Sequence, residues 1–346
     1  MTTPVALFDY ELPKEFIAQA PMEPRDHSKL MILDRHLVTV KHRRFFEIVD
    51  YLQTGDVLVF NNTKVFKARL MVGEMEIFLL RERDGLWEAL ARPGRKLKVG
   101  LVLDVGAWNA MPLRAVVKQK NDDGTALLDF GVSKEEVLKL CEAHGEVPIP
   151  PYVEKTPSAM ENYQTVYAKT TGAVAAPTAG FHFTNGLLET IRQKGVQLEF
   201  VTLHVGLGTF LPVKTATLEE HKMHAEFVEI DQGTAERINT AKQEGRRIIA
   251  VGTTFVRTLE AVTRLRQGFV RQAEVRPYSG DVNIFITPGF DFKIVDAMIT
   301  NFHLPKSTLL ALVSAFAGRE FVLEAYELAK KNAYRFYSFG DAMFIF

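Results

Sequence analysis

The sequence predicts an α/β protein: a layered α/β domain into which a small antiparallel β-barrel domain is inserted. Two textures carry that reading. Between residue 64 and about residue 130, short strand-like segments follow one another with turn residues between them, and after residue 150 strand-like and helix-like patterns alternate. A third observation locates the chemistry. From residue 163 onward, strings rich in Gly, Thr and His interrupt the apolar runs, with neither the period of a helix nor that of a strand. Polar joints between buried elements are where sites are usually built.

Residues 1–60 are mixed, broken early by Pro13, Pro21 and Pro24, and end in the short buried strand Val57-Leu-Val-Phe60. Strands are expected next at about 65–72, 75–81, 87–91, 101–105, 113–118 and 126–130. Arg83-Asp-Gly85, Pro93-Gly94 and the hairpin signal within Asn121-Asp-Asp-Gly124 separate them. Ser133-Lys-Glu-Glu136 is a capping-box start for a helix that ends near Gly145, and Val147-Pro-Ile-Pro-Pro-Tyr152 reads as a stiff linker leaving the barrel. Beyond it, a helix over about 186–194 stops at Gly195 before the apolar run 196–203, and one over about 235–244 stops at Gly245 before Ile248-Ile-Ala-Val251. Two more helices begin near Thr254 and Thr308, and residues 334–346 return to strand character. Because the strand at 57–60 belongs with the later ones, the catalytic domain is discontinuous, 1–63 plus 151–346, and the barrel occupies 64–150.

The 42 basic and 42 acidic side chains cancel, which argues against a chain coated in nucleic acid and leaves room for a local basic patch. The single cysteine, Cys141, excludes a disulfide framework and a zinc ribbon; it falls at an apolar position of a predicted helix, as a buried inert thiol would. The chain shows neither a basic-then-apolar leader nor an apolar run of membrane-spanning length. A cytoplasmic protein with no membrane partner is expected, and a monomer is favoured.

Each polar string has a functional and a structural reading. Gly252-Thr-Thr254 follows a buried strand and opens a helix, where free N–H groups and the hydroxyls of Thr253 and Thr254 could hold a polar ligand; plain capping is the alternative. Arg257 and Glu260 lie three apart and could pair on one helical face. His204-Val-Gly-Leu-Gly208 also follows a strand, but the third glycine of a dinucleotide fingerprint is absent and Phe210-Leu-Pro212 blocks an immediate helix. Gly206 and Gly208 are better read as permitting close backbone approach to a ligand. His221-Lys-Met-His224 has metal-like spacing without the Glu of a zinc-protease helix or any cysteine ligand, so no metal is expected. His224 and Glu226 are read as acid–base or hydrogen-bonding groups, with a satisfied structural histidine equally open. In Pro177-Thr-Ala-Gly-Phe-His-Phe-Thr184, Thr178, Gly180 and His182 suit a cleft, although turn formation and a core histidine are the plain alternatives. Thr300-Asn-Phe-His-Leu-Pro-Lys-Ser-Thr308 adds Asn301, His303 and Lys306, the lysine placed to neutralise an anion or to be solvated. Arg92, Arg95, Lys96 and Lys98 surround Pro93-Gly94 as a basic cluster, either a solvated loop or a phosphate contact.

Taken together, the chain resembles the S-adenosylmethionine:tRNA ribosyltransferase-isomerase family of queuosine biosynthesis. The matching strings run almost end to end: Phe8-Asp-Tyr-Glu-Leu-Pro13, Ile17-Ala-Gln19, Pro24-Arg-Asp26, Asn61-Asn-Thr-Lys-Val65, Ala68-Arg-Leu70, Tyr163-Gln-Thr-Val-Tyr167 and Val174-Ala-Ala-Pro-Thr-Ala-Gly180, then Asp296 through Leu310 and Tyr334 through Met343. Phe181, Phe255 and Asp281-Val-Asn-Ile284 depart from the family pattern.

The resemblance implies that the ribosyl part of S-adenosylmethionine moves to the aminomethyl group of 7-aminomethyl-7-deazaguanine at a tRNA wobble position. Epoxyqueuosine forms, and adenine and methionine leave. S-adenosylmethionine is then a consumed co-substrate, no cofactor is needed, and tRNA is the partner. In the family's proposed chemistry a base removes the 5′ proton next to the sulfonium, the sugar opens as adenine leaves, the tRNA amine attacks, and epoxide closure expels methionine. A base for carbon, a base for the ammonium and an acid for adenine are required; neutral imidazole suits the first two. His182, His204, His224 and Glu226 are the proton-transfer candidates, and Asp341 is a candidate for holding an amine or a sugar hydroxyl. The competing readings are an S-adenosylmethionine-dependent methyltransferase, for which no glycine-rich loop follows the first strand of a Rossmann-like unit, and a non-catalytic tRNA-binding protein.

Overall fold

The computed structural model describes residues 2–108, 111–149, 152–153, 163–206, 213–223, 225–264 and 274–346. The chain divides into two compact units, one of residues 1–63, 151–170 and 177–346, the other of residues 64–150 and 171–176. Residues 171–176, assigned from sequence to the α/β part, cluster instead with the inserted unit. Pro150 and Pro151 of the expected linker lie outside the described residues.

Strands β1 (Lys29–Asp34), β2 (Thr39–Arg44) and β3 (Val57–Asn61) precede the insertion. The short strand β4 (Thr63–Val65) leads into β5 (Arg69–Val72), β6 (Met75–Arg83), β7 (Leu86–Arg92), β8 (Val102–Trp108), β9 (Met111–Lys120), β10 (Ala126–Asp129) and helix α1 (Lys134–His144). After β11 (Thr170–Ala173), which pairs with β4, come α2 (Asn185–Gln193), β12 (Gln197–His204), β13 (Glu226–Ile230), α3 (Gln232–Gln243), β14 (Ile248–Val251) and α4 (Thr253–Arg264). The chain closes with β15 (Tyr278–Val282), β16 (Ala297–Asn301), α5 (Thr308–Ala317), α6 (Arg319–Lys331) and β17 (Ala342–Ile345).

In the inserted unit, β5-β6-β7-β10-β9-β8 form one antiparallel sheet whose first and last strands approach each other, a nearly closed barrel. Alternation fills it: along β7, Trp87 and Ala89 are buried while their neighbours are not, and Trp87 meets Phe66 edge-on at 5.8 Å. Register shifts in β6, β8 and β10 give the bends a small barrel needs. Helix α1 begins with the capping box expected: Ser133 Oγ accepts from Glu136 N, and the Glu136 carboxylate accepts from Ser133 N at 3.0 Å. Gly145 ends it for a second reason, since a Cβ there would lie 2.1 Å from the carbonyl oxygen of Lys67.

The larger unit is built on a nine-stranded sheet, β15-β13-β12-β3-β14-β16-β17-β1-β2. β12, β3, β14 and β16 are parallel, and every residue of β3, β14 and β16 is buried, as expected of strands covered on both faces. One face packs Leu58, Phe60, Ile249, Val251 and Ile299 against Leu187, Leu188 and Ile191 of α2 and against Phe45 and Ile48. Phe183 is the hub, with rings of Phe45 and Phe60 each 4.9 Å away. Helices α3 and α4 also pack on the sheet but contribute nothing to this cluster, which places them on the opposite face.

Three elements depart from the sequence reading. The hairpin β1–β2 lies inside the stretch read as mixed: β1 is a run of four buried apolar residues, and β2 is almost wholly exposed, so neither alternates. The expected strand at 65–72 breaks into β4 and β5. Of 334–346 only Ala342–Ile345 is a strand, and the rest is an irregular connection that ends at a buried aspartate.

Candidate active site

Strand direction gathers the polar strings. β13 runs antiparallel to β12, β15 to β13, and β17 to β16, while β1 runs with β17. The carboxyl ends of β12, β3, β14 and β16 therefore share one edge of the sheet with the starts of β13, β17 and β1. That edge carries Glu226, His204, Asn61, Gly252-Thr253-Thr254, Asn301, Asp341 and Ser28, in sheet order. Ligands of open α/β sheets bind at such an edge.

At the β13–β12–β3 end, Asn61 turns the chain: its amide donates to Leu203 O at 3.0 Å, and its Oδ1 accepts from Leu203 N and from Thr63 N. This holds Thr63 Oγ1 2.9 Å from His204 Nδ1. The same hydroxyl donates to Thr170 O at 3.4 Å, so it accepts from Nδ1–H, and Nε2 of His204 carries the basic lone pair. The imidazole is half-buried and lies parallel to the Phe227 ring, 5.9 Å away. Beside it, Glu226 Oε2 accepts from Arg257 Nη1 at 2.9 Å, with both side chains buried. Arg257 Nε donates to Ile284 O at 3.2 Å, while Nη2 is buried without a hydrogen-bond partner. A buried guanidinium nitrogen with no acceptor is costly in a finished core and useful where an anionic ligand is to arrive. The expected Arg257–Glu260 pair does not form. Glu260, fully buried, accepts from the backbone N–H groups of Lys293, Ile294 and Val295 and pairs with Arg264 one turn on, while Arg257 reaches across to β13.

Between the two ends, Gly252 adopts φ +102, which only glycine takes easily, and its N–H is tied to Ile299 O at 2.8 Å. Its carbonyl accepts from Phe255 N, leaving the amides of Thr253 and Thr254 at the open start of α4. Both threonines are buried.

At the β16–β17–β1 end, His182 is enclosed. Its Nδ1 meets Ser28 Oγ at 2.8 Å, its Nε2 meets Asn301 Nδ2 at 3.2 Å, and Asn301 Oδ1 accepts from Thr178 Oγ1 at 3.1 Å. The amide donates, so Nδ1 carries the proton and the ring is neutral. Burial, then the nearby Arg335 and Arg25 cations, push its pKa down to about 3. The ring stacks on Phe45 at 4.9 Å. A small cleft lined by Arg25, Ser28, Phe181, His182, Ser338 and Phe339 opens over it. Ser28 was not expected; a serine before an apolar run carries no local signal of a partner 154 residues away.

The remaining candidates divide. His303 is buried, bonded through Nε2 to Thr300 Oγ1 at 2.9 Å, and burial lowers its pKa to about 3. Asp341 is buried and accepts from the backbone N–H of Lys29 and of Arg335, clamping β1 to the final connection. Gly180 is explained by packing: a Cβ there would lie 2.0 Å from the Tyr167 hydroxyl. Lys306 pairs with Asp9 at 2.6 Å on the surface. A Cβ on Gly206 would meet no atom within 4 Å. Gly208 and His224 lie outside the described residues. His221 packs edge-on to Phe285 at 5.5 Å. Among the described residues no group of three His, Cys, Asp or Glu side chains is arranged to hold a metal ion, and no helix is long and apolar enough to cross a membrane. In the inserted unit, Arg92, Arg95, Lys96 and Lys98 are exposed, and Lys96 pairs with Glu74 at 2.8 Å.

The family described as queuosine biosynthesis protein matches residues 5–345. Proteins called S-adenosylmethionine:tRNA ribosyltransferase-isomerase from Thermotoga petrophila and Finegoldia magna are 50% and 48% identical to this chain. Each alignment covers at least 97% of both sequences. A crystal structure of the S-adenosylmethionine tRNA ribosyltransferase from Thermotoga maritima superposes with a TM-score of 0.57 at 40% identity, over 98% of this chain and 100% of that one. The chain belongs to the queuosine biosynthesis family of S-adenosylmethionine:tRNA ribosyltransferase-isomerases.

Proposed function

We infer that this protein transfers the ribosyl moiety of S-adenosylmethionine to 7-aminomethyl-7-deazaguanine at the wobble position of tRNA and isomerises it, giving epoxyqueuosine-tRNA with release of adenine and methionine. The observation that carries the reading is the convergence of His204, Glu226–Arg257, the open start of α4 and the His182 cluster on one sheet edge, in a chain of this family. Three strand spacings of roughly 4.8 Å separate β12 from β16, so the edge offers about 14 Å for an elongated donor and an acceptor base.

His204 is assigned the base, since Thr63 fixes its tautomer with the lone pair on Nε2 and the ring is half-buried. The sulfonium acidifies the adjoining 5′ C–H, and a neutral imidazole is suited to take that proton. Arg257 Nη2 is assigned to an anionic group of the donor, the carboxylate of its methionine part, with Glu226 fixing the guanidinium. The amides and hydroxyls of Thr253 and Thr254 are assigned to donor hydroxyls or to adenine. His182 is a positioning residue: with both ring nitrogens engaged, it holds Asn301 and Ser28 beside the cleft. The donor is consumed as a co-substrate, and no further cofactor is invoked. Purified protein incubated with S-adenosylmethionine and tRNA bearing the aminomethyl base is expected to yield adenine, methionine and an epoxide-containing nucleoside by mass spectrometry. Transfer of labelled methyl in place of labelled ribose would contradict it.

A further inference from the structure

We propose that the edge strand β2, with the exposed His27–Phe46 pair at its end, is a ridge that contacts the phosphate backbone of the RNA substrate; this rests on the tRNA reading above. β2 is the last strand of the nine-stranded sheet and carries the exposed cations Lys41, Arg43 and Arg44, with no acidic residue among them; His42 between them is bonded to the Tyr334 hydroxyl at 2.9 Å, and burial and Lys29 lower its pKa. In a chain whose 42 basic and 42 acidic side chains cancel, that is a local excess of one sign. Two carboxylates border it, and both are engaged: Glu47 accepts from the backbone N–H of Arg44 at 2.7 Å and reaches Arg43 Nε only at 3.8 Å, while Asp26 lies 3.0 Å from His27 Nδ1 and accepts from Thr184 Oγ1 at 2.8 Å.

Protecting a bare sheet edge from pairing with another chain explains charge on an edge strand, but it does not call for a single sign or for an aromatic platform. The platform is present. The His27 ring, 56% exposed, lies 5.2 Å from the ring of Phe46, itself 42% exposed, and Arg44 Nη1 donates to His27 O at 3.0 Å. Cations that follow a backbone, ending at exposed rings on which a base can stack, are how single-stranded RNA is held. Position completes the case. β2 runs antiparallel to β1 with Arg44 opposite Lys29, so its basic end lies on the same sheet edge as Ser28 and the His182 cluster. Lys41 and Arg43 are two residues apart and share a side of the strand, about 7 Å from each other.

The test is the affinity of an unmodified tRNA transcript, measured by fluorescence anisotropy over a range of salt, for the wild type, Lys41→Ala/Arg43→Ala and the charge-retaining Lys41→Arg/Arg43→Lys. The alanine pair is expected to weaken binding on the order of tenfold at physiological salt and to reduce the slope of log K against log salt by about 1.4 to 1.8, two phosphate contacts at roughly 0.7 to 0.9 each. The charge-retaining pair is expected to keep the wild-type slope. An alanine pair with the wild-type affinity and slope overturns the ridge while leaving the tRNA reading intact, as does a charge-retaining pair that loses as much as the alanine pair. A wild-type protein that binds no tRNA overturns both.

Discussion

The two ends of the site edge use the same residue types to opposite ends. At β16–β17–β1, His182 has a bond at each nitrogen, a neighbour stacked on its face and a pKa pushed down to about 3. At β12–β13, His204 is half-buried with its tautomer set by Thr63, and Arg257 keeps a buried Nη2 with no partner. In the first arrangement both ring nitrogens are bonded; in the second the buried Nη2 of Arg257 has no hydrogen-bond partner. A histidine in a polar string is therefore not by itself a sufficient sign of proton transfer.

The largest effect is expected at the incomplete end. Arg257→Ala leaves the Glu226 carboxylate buried without its cation and should cost about 3–5 kcal/mol of stability. Arg257→Ala/Glu226→Leu should recover much of that in a urea titration without restoring donor binding. Recovery of donor binding would move the ligand away from Arg257.

A smaller effect is expected at the complete end. His182→Ala strands Ser28 and Asn301 and should cost about 1–3 kcal/mol. Its pH signature is specific. On unfolding, His182 and His303 return from about 3 to the ordinary imidazole value of 6.5, so between those values the unfolded chain binds more protons than the folded one. Their contribution is whole above pH 6.5 and is lost as pH falls toward 3, each histidine adding up to about 1.4 kcal/mol per pH unit to the slope. His182→Asn should remove one such increment between pH 5 and 6 in calorimetric unfolding; an unchanged slope would mean that the ring is protonated in the fold.

An effect of the same order separates packing from ligand approach at Gly180. Gly180→Ala should destabilise by roughly 1–3 kcal/mol, because the added methyl meets the Tyr167 hydroxyl. That hydroxyl is buried without a partner, so Tyr167→Phe alone should be neutral or slightly stabilising and should relieve part of the Gly180→Ala cost when combined with it, Thr165 Cγ2 still lying 2.8 Å from the added methyl. A loss of donor affinity with unchanged melting temperature would instead return Gly180 to the ligand site.

Much of this was legible locally. Turn glycines, caps and alternation mark the barrel strands, and Gly252-Thr253-Thr254 and His204 are found at strand ends because apolar runs point to them. What escaped is long-range. Arg257 and Glu260 satisfy a helical spacing rule, yet each finds a better partner, Glu226 across 31 residues and the amides of 293–295. Ser28, Asn61 and Asp341 act by bonding to segments more than a hundred residues away. β2 has too little apolar character to register as a strand, because an edge strand needs none on its open side.

The reading proposed above assigns proton transfer to His204 and positioning to His182. The direct measurement is single-turnover adenine release by His204→Gln and His182→Gln, each paired with its melting temperature. His204→Gln is expected to lose about 10²- to 10⁴-fold in rate with its melting temperature within a few degrees of the wild type. His182→Gln is expected to lose stability, with the folded fraction retaining most of its rate. A His204→Gln protein that releases adenine at the wild-type rate, or a His182→Gln protein that melts normally and is inactive, would contradict the account.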